Sequence, residues 1–465
     1  LAKKKLQKAS LVLFFFLAAV GLAQLLSRIL QYGVDFPFYD EWGFFGDFIK
    51  SYVRGSWKTF DFFASHNGHR IATTRLTYVL LYHLSMLERS YAYLLNWLFG
   101  VGIITLWHLI LKRTFSSSGV IPVSIAIVAI FLTTSPHQLE NWTWGFQIQW
   151  FQHVFGLLLV VYLLSGERLY LGISFCVAVV STFTISAGQL IWPLSVFLLA
   201  PRVLSGKLRP FLLGLWIAGA AVVLALYRRH LDSDTLSLAP LLHNPFGFLD
   251  TYATLLGAAI ARASLQTARW FGILCIIVFL PIAALTMLRI FRFRGEGLTH
   301  LASLVGLVGF GFAATFLVAL ARHELGGARY VFEASRYTTL ASVTWIAGFA
   351  CTYSVLAGSR PGSLFLWGLL GVMVWGYYES LEPCHRDWAH RRWLLSSART
   401  AILSSDPAGF RTDGAIKEAT QRIGFFSFDT LDLLYQERLS PFQPETTVMQ
   451  TSATEGHSSA PQTLK

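Results

Sequence analysis

Charge is what this chain has least of. Only 13% of its 465 residues are Asp, Glu, Lys or Arg, about half the share in a soluble globular protein. Such a sequence cannot cover a water-facing surface of this size, which excludes an ordinary soluble domain. Cysteine is also scarce. Cys176, Cys275, Cys351 and Cys384 are the only four, three of them lie in apolar runs, and no C-x-x-C spacing occurs. No disulfide framework and no zinc site is predicted. The glycine signatures of dinucleotide-binding and P-loop folds are missing, and there is no tandem repeat. The net charge of +12 does not point to nucleic acid as a partner. Most of the Lys and Arg residues sit in short loops between apolar runs, where they orient spans and attract anionic lipid headgroups.

Apolar sequence fills the space that charge leaves. Hydrophobic residues make up 54% of the chain, mean hydropathy is +0.53, and runs of about 20 apolar residues match a bilayer core. The expected fold is an all-α polytopic membrane protein. Spans are predicted at about 11–30, 91–111, 119–134, 147–164, 168–187, 189–203, 210–227, 270–290, 299–320, 338–357 and 363–380, eleven in all. The chain begins at Leu1 rather than Met. Lys3–Lys5 before an apolar run resembles a signal peptide, but no small-residue cleavage site follows, so a retained first span is expected.

Basic residues set the expected orientation. Lys3, Lys4, Lys5 and Lys8, then Lys112 and Arg113, Arg168, Arg202 with Lys207 and Arg209, Arg289 with Arg292 and Arg294, and Arg360 all fall on one side. That side is assigned to the cytoplasm, with the C-terminus extracytoplasmic and the protein multi-pass in the inner (plasma) membrane. Segments 71–88 and 245–268 carry Arg75 and Arg262. They are read as outer-face helices, the first amphipathic and interfacial, the second interfacial or re-entrant. The domains expected are a transmembrane unit 1–380 with a first outer loop at 31–90, a small extracytoplasmic region 381–445, and a disordered, Ser/Thr/Gln/Pro-rich tail 446–465.

The unusual polar clusters then all face outward. In the loop after the first span, Asp40 and Glu41 stand among Tyr39, Trp42, Phe44 and Phe45. A partly desolvated carboxylate here could take a proton from a substrate hydroxyl, or serve as a loop acid or helix cap. His66, Asn67, His69 and Arg70 open the next helix, where a helix N-terminus and a guanidinium suit a phosphate, while Asn67 and Gly68 also fit a cap and a turn. Glu140, Asn141, Trp142, Trp144, Gln147 and Gln149 lie at the mouth of two spans. Aromatic faces beside amides and an acid suit a sugar ring; tryptophans at this depth also form interfacial belts. Arg322, Arg329, Glu333, Arg336 and Tyr337 precede the tenth span. Arginines outside oppose the orientation rule, so either a phosphate or Glu324 and Glu333 should hold them.

The order of span, acidic loop, outer helix, many further spans and outer tail resembles the GT-C superfamily of integral-membrane glycosyltransferases, which use polyprenyl-phosphate sugars. Protein O-mannosyltransferases and lipid A aminoarabinose transferases are members. The resemblance rests on Asp40-Glu41 and on the outer helix that opens at His66 to Arg70. The pieces ENWTWGFQ and ASRYTT also look like those of bacterial membrane proteins grouped with that superfamily. HNGHRI stands where better-known members have His-Pro-Pro or Lys-Pro-Pro. The resemblance implies a glycosyltransferase of the cell envelope acting on a glycan or lipid acceptor, with Asp40 and Glu41 as catalytic acids. It implies Arg336, Arg70, Arg329, His69 and Tyr337 around the donor phosphate, and Glu140, Asn141, Trp142, Trp144 and Gln147 around sugar or acceptor. No cofactor is expected, a divalent metal is not favoured, and membrane lipid is an expected partner. The alternatives are a polysaccharide polymerase or ligase, which would rest on Arg322 to Arg336, a transporter of anionic lipid or solute, and a non-catalytic membrane subunit.

Overall fold

The computed structural model describes residues 2–115, 121–166, 168–229, 231, 237–293, 299–423 and 426–443. Arg294 and the tail 446–465 lie outside the described residues. Apolar runs leave backbone N–H and C=O groups no partner but each other, so helix dominates. The strands among the described residues are the two-residue pair Ser65–His66 and His69–Arg70.

Nine helices among the described residues are long and apolar enough to cross a membrane. They are Lys8–Tyr32, Arg89–Thr114, Gly145–Ser165, Ser186–Leu204, Pro210–Arg228, Leu265–Arg292, Leu301–Leu325, Ser335–Leu356 and Arg360–Ser404. The protein is thus an all-α membrane protein. The two other predicted spans, 119–134 and 168–187, form the shorter helices Val123–Thr133 and Leu171–Thr182. At 1.5 Å per residue each covers about 17 Å, roughly half of a hydrocarbon core.

Contacts at the helix ends sort the bundle into two faces. At one, the Arg113 guanidinium donates to the Tyr162 carbonyl and lies over the Tyr162 ring. Arg202 donates to the Gly166 carbonyl at 2.6 Å. At the other, Arg89 pairs with Asp35 at 3.8 Å. Arg89 and Arg113 share one helix and stand about 36 Å apart along it. Two basic residues therefore gather at one face. Asn96, two turns from Arg89, donates to the Asn141 carbonyl at 2.8 Å, which brings the ENWTWGFQ piece to the opposite face.

A second hydrophobic core sits on that opposite face. Trp42, Phe44, Phe45 and Phe48 of the first loop, Tyr78 and Leu81 of the next helix, and Leu395, Ile402, Leu431 and Leu434 of the C-terminal region form it together. The region 381–443 thus shares its core with the loop after the first span. The join is reinforced where Arg89 donates to the Ser440 carbonyl at 2.9 Å and Ser440 hydrogen-bonds Asp35.

The helices at 72–85 and 245–257 have distinct packing. Helix Ala72–Ser85 buries Thr74, Arg75, Tyr78 and Leu81, while Leu76, Leu80 and Leu84 form an exposed row. Thr74, Arg75 and Tyr78 face the protein with Leu81, and the other three leucines face away. The helix Pro245–Gly257 crosses Leu265–Phe293 at two glycines. A Cβ at Gly257 would lie 1.7 Å from the Ala268 carbonyl oxygen, and one at Gly272 1.7 Å from that of Ala253. The end of the crossing helix is caught by the core, since the Trp345 indole donates to the Leu256 carbonyl at 2.9 Å.

Candidate functional site

The first loop turns sharply into its acids. Tyr39 adopts φ 50°, and the short helix Asp40–Phe44 starts immediately after it. Glu41 points inward. One oxygen accepts the Phe38 N–H at 2.9 Å and the other the Tyr78 hydroxyl. It is fully buried, and that burial raises its pKa against the pull of Arg89, the two hydrogen bonds and Arg391. Asp40 is half-buried and points the other way. Burial raises its pKa too, while Arg336, Arg322 and the Asn67 amide draw it down and Glu140 pushes it up. Asp40 therefore shares its surroundings with Glu140, Arg336, Arg322 and Asn67, and Glu41 does not.

The HNGHR stretch is a hairpin. Asn67 at φ 49° and Gly68 at φ 76° are the two left-handed residues a type I′ turn requires. Asn67 is thus a turn residue, not a helix cap; the cap position of Ala72–Ser85 is held by Ile71. His69 Nδ1 donates to the Asn67 carbonyl at 3.0 Å, which leaves Nε2 as an acceptor. Burial, aided by Arg322 and Arg75 and opposed by that hydrogen bond, lowers the His69 pKa to about 4. Burial, His69 and Arg75 hold His66 at about 4 as well. Both rings are neutral at physiological pH. Arg70 is a staple: it donates to the carbonyls of Tyr227, Phe63 and Arg229, tying the hairpin to the end of Pro210–Arg228.

Glu140 and Arg336 form the site's ion pair. Arg336 NH1 donates to Glu140 Oε1 at 3.0 Å and the Arg336 backbone N–H to Oε2 at 2.9 Å. The Ser335 hydroxyl adds a third donor at 3.3 Å. Arg336 also donates to the Tyr330 hydroxyl at 3.0 Å. Burial alone would raise the Glu140 pKa, but Arg336, Arg391, the Arg336 N–H and Arg262 together hold it below the ordinary value. Asn141 supports the same turn, donating to the Arg336 carbonyl at 2.8 Å and to Thr339 at 2.6 Å.

The other sequence candidates divide. Trp144 is buried with its ring near the guanidiniums of both Arg336 and Arg391, 5.9 and 5.8 Å from the centroid. Trp142 is core: it donates to the Ser135 carbonyl and stacks on Phe151. Gln147 accepts from the Trp150 indole, and Tyr337 packs edge-on to Trp150. Arg329 is exposed and paired with Glu333 at 2.8 Å, one helical turn away. No group of three or more His, Cys, Asp or Glu side chains suited to a metal occurs among the described residues.

Two residues that the motifs did not single out join the cluster. Arg391 reaches Glu140 from the helix Leu381–Ser404. Its signal was a spacing: Cys384, Trp388, Arg391, Leu395, Ala398 and Ile402 are the buried positions of that helix, a 4-3-4-3-4 stripe with one arginine in it. Arg262 donates its N–H to the Ser380 hydroxyl at 2.6 Å and lies near Glu140. No family model matches this chain, no curated protein matches it, and no solved structure matches its fold.

Proposed function

We propose that the protein is a glycosyltransferase moving a sugar from a polyprenyl-phosphate donor to a hydroxyl of a cell-envelope glycan or lipid. The reaction is a single displacement that inverts the anomeric centre. The observation that carries this reading is the buried Glu140–Arg336 ion pair at 3.0 Å, contributed by segments far apart in the chain, with Asp40 close enough to feel both charges and that of Arg322. A carboxylate whose burial raises its proton affinity is a better general base than one in water. Guanidiniums beside it suit a phosphate.

In this scheme the acceptor hydroxyl oxygen attacks the anomeric carbon while its proton passes to Asp40. The bond from that carbon to the phosphate oxygen breaks, and the electron pair stays on the phosphate. Arg336, aimed by Glu140, stabilises the charge that builds there, with Arg322 beside it. Glu41 holds the loop through Phe38 and Tyr78 and is a positioning residue. Arg70 and Arg329 take no part, the first being spent on carbonyls and the second on Glu333. The face with Arg113 and Arg202 is assigned to the cytoplasm and the site to the exoplasmic side of the plasma membrane, following the orientation rule for basic residues.

The test is Asp40→Asn assayed in membranes for transfer from a polyprenyl-phosphate sugar. Loss of a general base should lower turnover by about 10²- to 10⁴-fold. Unchanged turnover would remove Asp40 as the base.

A further inference from the structure

Both oxygens of Glu140 are engaged. Its two oxygens take three hydrogen bonds from Arg336 and Ser335. Arg391 is drawn to the same carboxylate yet makes no hydrogen bond with it. The Arg391 side chain is buried to nine-tenths, its guanidinium lies 4.1 Å over the Phe38 ring, and its Nε and one terminal nitrogen have no acceptor. Glu41, the other acid nearby, already accepts from Phe38 and Tyr78. Arg336 and Arg391 thus share one indole, Trp144, and one carboxylate. The unmet demand is for a second negative charge between them.

We propose that Arg391 binds the phosphate of the lipid carrier, so that the C-terminal helix Leu381–Ser404 forms a wall of the anion subsite. This rests on the glycosyltransferase reading above and makes it more specific. A sugar-bearing polyprenyl phosphate is a diester with one negative charge. Once the sugar has left, the carrier is a monoester that can carry two. One guanidinium, Arg336, answers the first charge; Arg391 answers the second. The pair therefore favours the departing carrier over the donor, which is where a transferase gains rate.

The experiment is equilibrium binding to the full-length protein in lipid nanodiscs. The probes are polyprenyl phosphate, the uncharged polyprenol, and inorganic phosphate. Wild-type affinity for polyprenyl phosphate should rise between about pH 5 and pH 8 as the monoester takes its second charge, near pH 6. Arg391→Gln should bind it about tenfold more weakly, lose that rise with pH, and bind polyprenol like wild type. Arg386→Gln, an exposed arginine of the same helix, should match wild type throughout. Equal affinity and equal pH dependence in Arg391→Gln would overturn the proposal. Inorganic phosphate competing as strongly as the lipid would overturn the carrier assignment in favour of a free-phosphate site. If Arg391→Gln does not fold, Arg391→Lys decides: it keeps the charge but loses the fork, so it should keep the rise with pH and bind polyprenyl phosphate more weakly than wild type, and an affinity equal to wild type would sink the idea. Turnover of Asp40→Asn is read separately, so failure of the base assignment leaves the binding result standing.

Discussion

Replacing Glu140 by glutamine takes away the carboxylate oxygens to which Arg336 donates. Both side chains are about five-sixths buried, so the guanidinium is left with a desolvated, unanswered charge. Breaking such a pair costs about 3 kcal/mol, and thermal melts of detergent-solubilised Glu140→Gln should show it as a marked drop in midpoint. In the proposed mechanism Asp40 sets the pH response. Burial raises its pKa above the ordinary 3.8, and the base works only when ionised. The rate must therefore fall as pH drops through the raised value. The acid limb of kcat/KM should lie above the range of a solvated aspartate and vanish in Asp40→Asn. At this scale the sequence singled out Asp40, Glu140 and Arg336, because acids and arginines stand out in apolar surroundings. It was silent on their pairing. The expected partners Glu324 and Glu333 lie close in sequence, whereas the actual partner of Arg336 comes from another helix. Arg70 looked like a phosphate ligand because sequence cannot show three backbone carbonyls closing around a guanidinium.

Among the helices, packing distance decides what is tolerated. Gly272 admits the Ala253 carbonyl so closely that any Cβ would collide with backbone, which cannot swing aside as a side chain can. Gly272→Val should lower stability by about 3 kcal/mol, at the upper end for overpacking. Gly371, with nothing near its Cβ direction, should accept alanine with a change within about 0.5 kcal/mol. Melting curves of the two variants side by side make the comparison. The apolar helices were legible because their length and hydropathy are set by the bilayer alone. The two short helices Val123–Thr133 and Leu171–Thr182 were read as longer, since an apolar run does not record where a helix stops. Asn67-Gly68 was read as cap or turn; the hairpin rests on the pairing of Ser65–His66 with His69–Arg70, and two-residue strands are too short to leave an alternating pattern.

For the whole molecule, the surprise is the C-terminal region. Sequence alone set 381–445 apart as a small outer unit, because its composition turns polar after the last long apolar run. Its inward stripe nevertheless completes a core with residues before 90, and a contact between the two ends of a chain leaves no local trace. The site lies where these ends and the spans converge.

The exposed leucines of Ala72–Ser85 have a bearing on all of this. Leu76, Leu80 and Leu84 face out, and a bilayer is the medium that would accept them. On the inward side of the same helix, the Tyr78 hydroxyl grips Glu41, the residue beside Asp40. Lipid and the Asp40 loop are then only one helix diameter apart. Stretching or thinning the surrounding membrane should tug on that helix, and turnover in vesicles of graded acyl-chain length should pass through an optimum. A Tyr78→Phe variant, with the tether cut, should respond more weakly to the same series.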